Sequence, residues 1–264
     1  MSSIARKTSR TADLAGEYGR RITAGVLKPG DHLPVEAQLA TEWGVSRTVV
    51  REAMRLLAAK GLLRVGPKVG TRVLPFEEWN MLDADVMAWH LLADERRTFV
   101  EALYEMRLIN EPAAARAAAA RISSTDKARL GEALDAMGRY PRGSDELIAA
   151  DLAFHRIILE ATGNPILRSL GAMIEKSLSI SFSLSWRQNP QEETLRQHKR
   201  VFDAIIAGDG EAAELFMRRL IESAFDDVTT ALYAEHQNHA ATREVRTDLT
   251  RSGEKPAFAP AAGA

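Results

Sequence analysis

Residues 33–73 constrain this chain more than any other stretch. They read LPVEAQLATEWGVSRTVVREAMRLLAAKGLLRVGPKVGTRV. Two short helical patterns meet at Gly44-Val45. The first, Glu36 to Trp43, directs Leu39 and Ala40 inward, with Val45 closing the turn. Ser46 then starts the second as its N-cap, and Glu52 lies in the second turn. Val49, Ala53, Leu56 and Leu57 recur at three- and four-residue spacing and predict one apolar stripe. Arg47, Arg51 and Arg55 recur every four residues and predict a basic stripe on another face. A helix, a tight glycine turn and a helix with a basic outer face form a helix-turn-helix. Leu62 to Val65 and Thr71 to Leu74 are strand-like, and Gly66 to Gly70 between them carries turn residues. That is a β-hairpin wing with Lys68 near its tip. The bland alternative is a small helical subdomain with a solvated arginine face. The wing and the glycine turn, in that order, favour DNA binding.

The bulk numbers narrow the rest. The 264 residues suffice for two domains. The chain has no Cys, which excludes a disulfide framework, a thiolate metal site and a cysteine nucleophile. No run approaches the roughly 18 apolar residues of a membrane helix, and the opening MSSIARKTSR has no apolar core of a secretory signal. A cytoplasmic protein with no membrane partner is therefore expected. The net charge of −1 hides an asymmetry. Residues 1–75 hold 13 Lys and Arg against 6 Asp and Glu, a net of +7, and the remainder holds 22 against 30, a net of −8. A basic N-terminal third suits phosphate binding.

The expected fold class is mainly α: a winged helix-turn-helix followed by an all-α antiparallel helical bundle. Residues 1–10 are expected to be disordered, 11–75 to form the winged domain, 76–79 a linker, 80–235 the bundle, and 236–264 a disordered tail. The winged domain opens with a helix from Thr11 to Ala24. In the bundle, helices are predicted over Asn80 to Leu92, Thr98 to Arg121 with a kink near Asn110 caused by Pro112, Thr125 (as N-cap) to Arg139, Ser144 or Asp145 to Gly163, Pro165 to Trp186, Pro190 to Ala207, and Gly210 to about Ala234.

GVLKPGDHLPVE followed by GVSRTVVREAMRLLAAKGLL resembles the winged-helix domain of GntR-family bacterial regulators. The resemblance covers about residues 11–75 and implies contacts to double-stranded operator DNA at Ser46, Arg47, Thr48, Arg51 and Gly70. Arg47 and Arg51 suit guanine edges or phosphates, and Thr48 suits a phosphate. One departure matters. Many members of the FadR branch carry an Arg directly after the Glu of L-P-x-E, where it reads DNA; this chain has Ala37, so one contact is lost. EMRLINEPAAARAAA, DLAFHRIILEATGNPIL and HKRVFDAIIAGDGEAA resemble the FCD effector domain of the same branch, over about residues 80–232. This implies a homodimeric regulator whose operator affinity changes with a small carboxylate, often together with a metal.

Asp151 and His155 are four apart and share a helix face. His198 lies on a later helix. A carboxylate and two imidazoles suit Zn²⁺, Ni²⁺ or Mn²⁺. By spacing alone such a pair is common, and a lone His is more often surface or satisfied core. The FCD resemblance puts all three on metal-ligand positions. The family's fourth ligand is a His in the last helix, and Leu220 stands there instead. Three protein ligands and an open or apolar fourth side are expected, with weaker affinity. Arg107 either makes a surface ion pair with Glu105 or Glu111, or, as in many FCD chains, faces the effector, where its fork suits a carboxylate. Asn110, one turn on, is a candidate hydroxyl contact. Trp186 and Thr194, with WNMLDADVMAW at 79–89, resemble the sugar-acid-responsive members, those of D-galactonate catabolism in particular. Trp186 packs over the effector or serves as a core aromatic. The expected function is a repressor released from its operator by a sugar acid. The alternatives are another small carboxylate, an acyl-CoA, an architectural DNA-binding protein, and, remotely, a metal-dependent enzyme. The polar trio argues against a purely apolar acyl tunnel; the attached winged helix and the absence of a nearby general base argue against an enzyme.

Overall fold

The computed structural model describes residues 9–66, 70–93, 96–171 and 191–251, with side chains as far as residue 234. The expectations for residues 1–8, for Lys68 and for Trp186 lie outside the described residues.

Helix α1 (Arg10–Thr23) starts at Ser9, whose hydroxyl accepts from the Ala12 N–H. It buries Leu14, Ala15, Tyr18 and Ile22. Helix α2 (Glu36–Trp43) ends at Gly44, which takes the left-handed conformation at φ +59°. Glycine reaches that region without a Cβ penalty. Helix α3 (Arg47–Ala59) follows at once, capped by the Ser46 hydroxyl on the Val49 N–H. Its buried stripe is Val50, Ala53, Met54 and Leu57, and Leu56 is 44% exposed. The Val49-Ala53-Leu56-Leu57 stripe is thus corrected. The two patterns lie one residue apart and share Ala53 and Leu57, so periodicity alone admits both. Packing on α1 and the first strand selects the inner set.

Strands β1 (Leu63–Gly66) and β2 (Gly70–Val73) pair antiparallel, Leu63 opposite Val73. The segment before α2 joins them. Leu33 N–H donates to Thr71 and Val73 N–H to Asp31, both at 2.9 Å. This ties the wing to the entrance of the helix-turn-helix.

The joint expected at 76–79 is packed rather than free. Phe76–Glu78 form a 3-10 turn, and Trp79 is buried with its Nε1 donating to the Leu74 carbonyl. Helix α4 (Ala84–Leu91) starts later than Asn80 because Asp83 caps it, accepting from the Asp85 and Val86 N–H groups. This helix belongs to two cores. Val86 and Trp89 pack with the winged domain, Met87 and Leu91 with the bundle. The Trp89 ring lies against Gly19, where an added Cβ would meet it at 2.3 Å. Lys60 ties α3 to the start of α4 through Asp83 at 2.8 Å and Asp85 at 3.0 Å. His90 stacks on Phe99 from the bundle side and also meets the rings of Phe76 and Trp79.

The bundle follows as α5 (Arg97–Arg121), α6 (Ser124–Arg139), α7 (Asp145–Ala161), α8 (residues 165–171), α9 (Gln191–Ala207) and α10 (Gly210–Arg251). Pro112 is buried inside α5, which continues as one helix through it. Ser123, not Thr125, caps α6: its hydroxyl accepts from the Asp126 N–H, and Ser is a preferred cap. Helix α10 packs along α5 and α9, and α6 packs on α7. Tyr104, Phe154, Ile158, Val201, Ile205 and Ile221 are fully or nearly fully buried between them. Helix α10 runs to Arg251, so the tail expected to be disordered from 236 is helical to that point. The physical reason is the absence of breakers: no Pro or Gly occurs between Glu235 and Arg251, and each added residue propagates an existing helix. Among the described residues no helix is long and apolar enough to cross a membrane.

Two outcomes test this packing. Gly19→Ala forces Trp89 out of its seat and should cost about 1–3 kcal/mol in chemical denaturation, the usual cost of overpacking. Burial pushes the His90 imidazole pKa down to about 4. In the unfolded chain it titrates near 6.5, so its contribution is complete above that pH and fades as pH falls toward 4. The melting temperature of the native protein should drop across this window more steeply than that of His90→Phe.

Candidate effector site and nucleic-acid interface

Three helices converge on a buried polar chain. Helix α5 supplies Arg107 and Glu111, α7 supplies Asp151 and His155, and α9 supplies His198. Arg107 is only 1% exposed. Its Nε donates to Glu111 Oε1 at 2.7 Å. Glu111 Oε2 then holds His155 Nδ1 at 2.5 Å. His155 Nε2 and His198 Nε2 both face Asp151 Oδ1, at 3.4 and 3.0 Å. His198 Nδ1 donates to the Thr194 carbonyl at 2.8 Å. Phe154 packs edge-on against both imidazoles and forms an apolar wall.

The outer partners set the direction of the rings. A carbonyl only accepts, and so does an ionised carboxylate, so each Nδ1 carries a proton. Both Nε2 atoms are therefore the ones aimed at Asp151. One ligand atom from each of Asp151, His155 and His198 lies within 4.8 Å of the others. Two imidazoles held from behind, with Nε2 atoms converging on a carboxylate, match what a divalent cation requires of its ligands.

The electrostatics fit the same picture. Burial pushes the Asp151 carboxyl up, but the His198 and His155 rings overcome it and hold it well below the usual carboxylate range. Burial acts likewise on Glu111, and Arg107 and His155 bring it to about 2. Burial lowers His155, yet the Glu111 charge and the hydrogen bonds His155 donates to both carboxylates raise it to about 9. A cation entering this site must displace that proton.

Asp151, His155 and His198 are thus brought together, with Arg107 in the same chain. The surface ion-pair alternative for Arg107 is half right: Glu111 is the partner, but the pair is buried. Thr194 takes part through its carbonyl. Asn110 does not join the chain; its side chain donates to the Met106 carbonyl of its own helix at 2.8 Å. Leu220 is buried among apolar side chains. Glu111 is the residue that sequence reasoning undervalued. Its signal was present, four residues after Arg107 on the same face.

On the winged domain, Ser46, Arg47, Thr48 and Arg51 are all exposed at the start of α3. The Ser46 hydroxyl is used as the helix cap. Gly70 opens β2 at φ +68°. Arg51 is held by Glu36 of α2, through Nε at 3.2 Å and Nη2 at 2.9 Å. Arg55 pairs with Glu52.

The raised His155 pKa has a measurable sign. Its stabilisation of the metal-free protein is complete below about 6.5, its unfolded value, and is lost as pH rises through about 9. Chelator-treated protein should lose thermal stability across that interval, and Glu111→Gln should flatten the loss.

Comparison with known proteins agrees with both halves. Residues 13–73 match the bacterial regulatory proteins of the gntR family, and residues 102–223 match the FCD domain. The chain is 36% identical over 218 residues to the galactonate operon transcriptional repressor of Escherichia coli (strain K12), covering 82% of this chain and 95% of that protein. It is 30% identical over 221 residues to the HTH-type transcriptional regulator LutR of Bacillus subtilis (strain 168), covering 81% and 99%. The solved structure of Lar, which controls the expression of the Listeria monocytogenes agr system, shares the fold with a TM-score of 0.59 at 22% identity, covering 87% of this chain and 99% of that one. These domains and relatives are those of transcription regulators and not of enzymes. The chain belongs to the GntR family of bacterial transcription regulators, with an N-terminal GntR helix-turn-helix and a C-terminal FCD domain.

Proposed function

We propose that this protein represses a sugar-acid catabolic operon as a homodimer and is released from its operator by an aldonate, D-galactonate first among them. The observation that carries this is the buried Arg107-Glu111-His155-Asp151-His198 chain inside an FCD domain. The 36% identity to a galactonate operon repressor supports this effector class.

Asp151, His155 and His198 would hold a divalent cation, Zn²⁺, Ni²⁺ or Mn²⁺. Such an ion supplies a Lewis-acidic centre with open positions suited to a carboxylate and hydroxyls. The charge arithmetic favours an anion. Two carboxylates, one guanidinium, two neutral imidazoles and a divalent cation leave a net +1, which one effector carboxylate neutralises. Arg107 adds the fork that recognises the same group. Leu220, at the position where the family resemblance expects a fourth ligand, would leave that side apolar. An acyl-CoA is disfavoured, because its alkyl chain gains nothing from five buried ionisable groups. Thr194, whose carbonyl holds His198, would stand behind this ligand set.

On the DNA side, Ser46, Arg47, Thr48, Arg51, Lys68 and Gly70 would meet the operator, with the two α3 helices of the dimer in successive major grooves. Such a regulator works in the cytoplasm, where its operator is. The effector can change operator affinity only through different interactions with the two arrangements of the dimer. Helix α4, shared by both cores, is the element through which a shift in the bundle reaches α1.

The deciding experiment is a gel-shift titration on DNA upstream of the protein's own gene, with a panel of aldonates. A specific complex that one aldonate dissolves is the expected result. A complex that no aldonate alters would sink the sugar-acid assignment and leave other carboxylates. Absence of any specific complex would sink the repressor reading. Calorimetric titration of chelator-treated protein with Zn²⁺, Ni²⁺ and Mn²⁺ should show binding that releases protons. His155→Ala should abolish it, and Glu111→Gln should weaken it about 10–100-fold, as loss of a carboxylate behind a ligating His does.

A further inference from the structure

The winged domain carries an arrangement that operator binding alone does not explain. Of the three arginines on the outer face of α3, two are engaged by carboxylates of the same chain. Arg55 pairs within its own helix. Arg51 is different, because its partner is Glu36 at the first position of α2, fifteen residues earlier.

The geometry of the pair is specific. A guanidinium has five N–H groups in one plane. Glu36 takes the Nε edge and one N–H of Nη2. The opposite edge, formed by Nη1 and the second N–H of Nη2, makes no hydrogen bond among the described residues. That edge is a two-donor fork of the kind that reads guanine O6 and N7 together. The carboxylate is ionised, since hydrogen bonding from Arg51 holds it below its usual range. It neutralises the charge of Arg51 and stands at the start of α2, the helix that crosses the DNA backbone in this architecture. The next residue, Ala37, brings no charge to offset it. An anion there repels phosphates. Arg47, one turn earlier on α3, makes no ion pair among the described residues and is the cation free to meet a phosphate.

We propose that Glu36 is a specificity-determining residue. It grips Arg51 by one edge, so that the other edge is presented to a guanine and phosphate contact is disfavoured. Arg47 positions the helix on the backbone, and the Glu36-Arg51 pair reads a base. This rests on the reading of α3 as the recognition helix.

The test is selection of bound sequences from a random duplex pool, with the full-length protein and its Glu36→Gln, Glu36→Ala and Arg51→Ala variants. Each is checked by thermal melting for an intact fold. Affinity for a scrambled duplex is followed against salt in parallel. The wild type should enrich a motif with symmetry-related guanines, and Arg51→Ala should erase them. Both Glu36 variants should lower the preference for those guanines by about ten-fold, the scale of one bidentate base contact. They should also bind the scrambled duplex more tightly, with a salt dependence steeper by about one phosphate contact, as the freed Arg51 turns to the backbone. Folded Glu36 variants that keep the wild-type guanine preference and salt slope would overturn the proposal. So would folded variants that lose scrambled-duplex binding altogether, or a wild-type motif with no guanine that depends on Arg51. A wild type that enriches no motif would sink the recognition-helix reading itself, and this inference with it.

Discussion

The bundle depends on the mutual satisfaction of charges it could not otherwise bury. An ionised carboxylate or imidazole alone in an apolar interior is costly enough that it would neutralise instead. Here Arg107, Glu111, His155, Asp151 and His198 are joined end to end, each contact between 2.5 and 3.4 Å. Three helices must hold their register for the chain to close. The same requirement explains why the cluster can act as a site. Two carboxylates against one guanidinium leave a negative charge, which either a proton on His155 or a metal ion can balance. A metal bound there would take the place of a proton, and the carboxylates that raise the His155 pKa favour either cation.

A second constraint lies at the joint. Helix α4 is eight residues long, too short to contribute much by itself. It is stable because both of its sides are buried, one in each core. The Trp89 ring over Gly19 and the His90 stack on Phe99 leave it little room to move independently of α1 and α5. A rearrangement around α5, where Arg107 and Glu111 sit, therefore meets a packed element next to the DNA-binding domain. That is the physical content of the coupling a ligand-responsive regulator needs.

On the exposed face of α3, the same chemistry appears in the open. Arg51 and Glu36 form a bidentate pair at the surface, where an ion pair adds little to stability. Its consequence is that one guanidinium edge, Nε and one N–H of Nη2, is occupied by Glu36. Charge on this face is therefore less than a count of arginines suggests.

Local elements and their kinds were legible from short-range signals in the chain. Gly44 and Ser46 mark the turn and cap of the helix-turn-helix, because only short-range backbone geometry and one hydroxyl are involved. Asp151 and His155 were legible as neighbours because helix periodicity puts residues four apart on one face. The contribution of His198 was legible only through family resemblance, since nothing in spacing links α7 to α9. Tertiary structure decided the rest. It chose Val50 and Met54 over Val49 and Leu56 as the buried stripe, because both sets satisfy the same period and only the position of α1 separates them. It buried Arg107 with Glu111 rather than leaving them at the surface, turned Asn110 back onto its own helix, and placed Glu36 on Arg51. Each of these depends on which helices meet, and the periodicity of one helix does not record its neighbours.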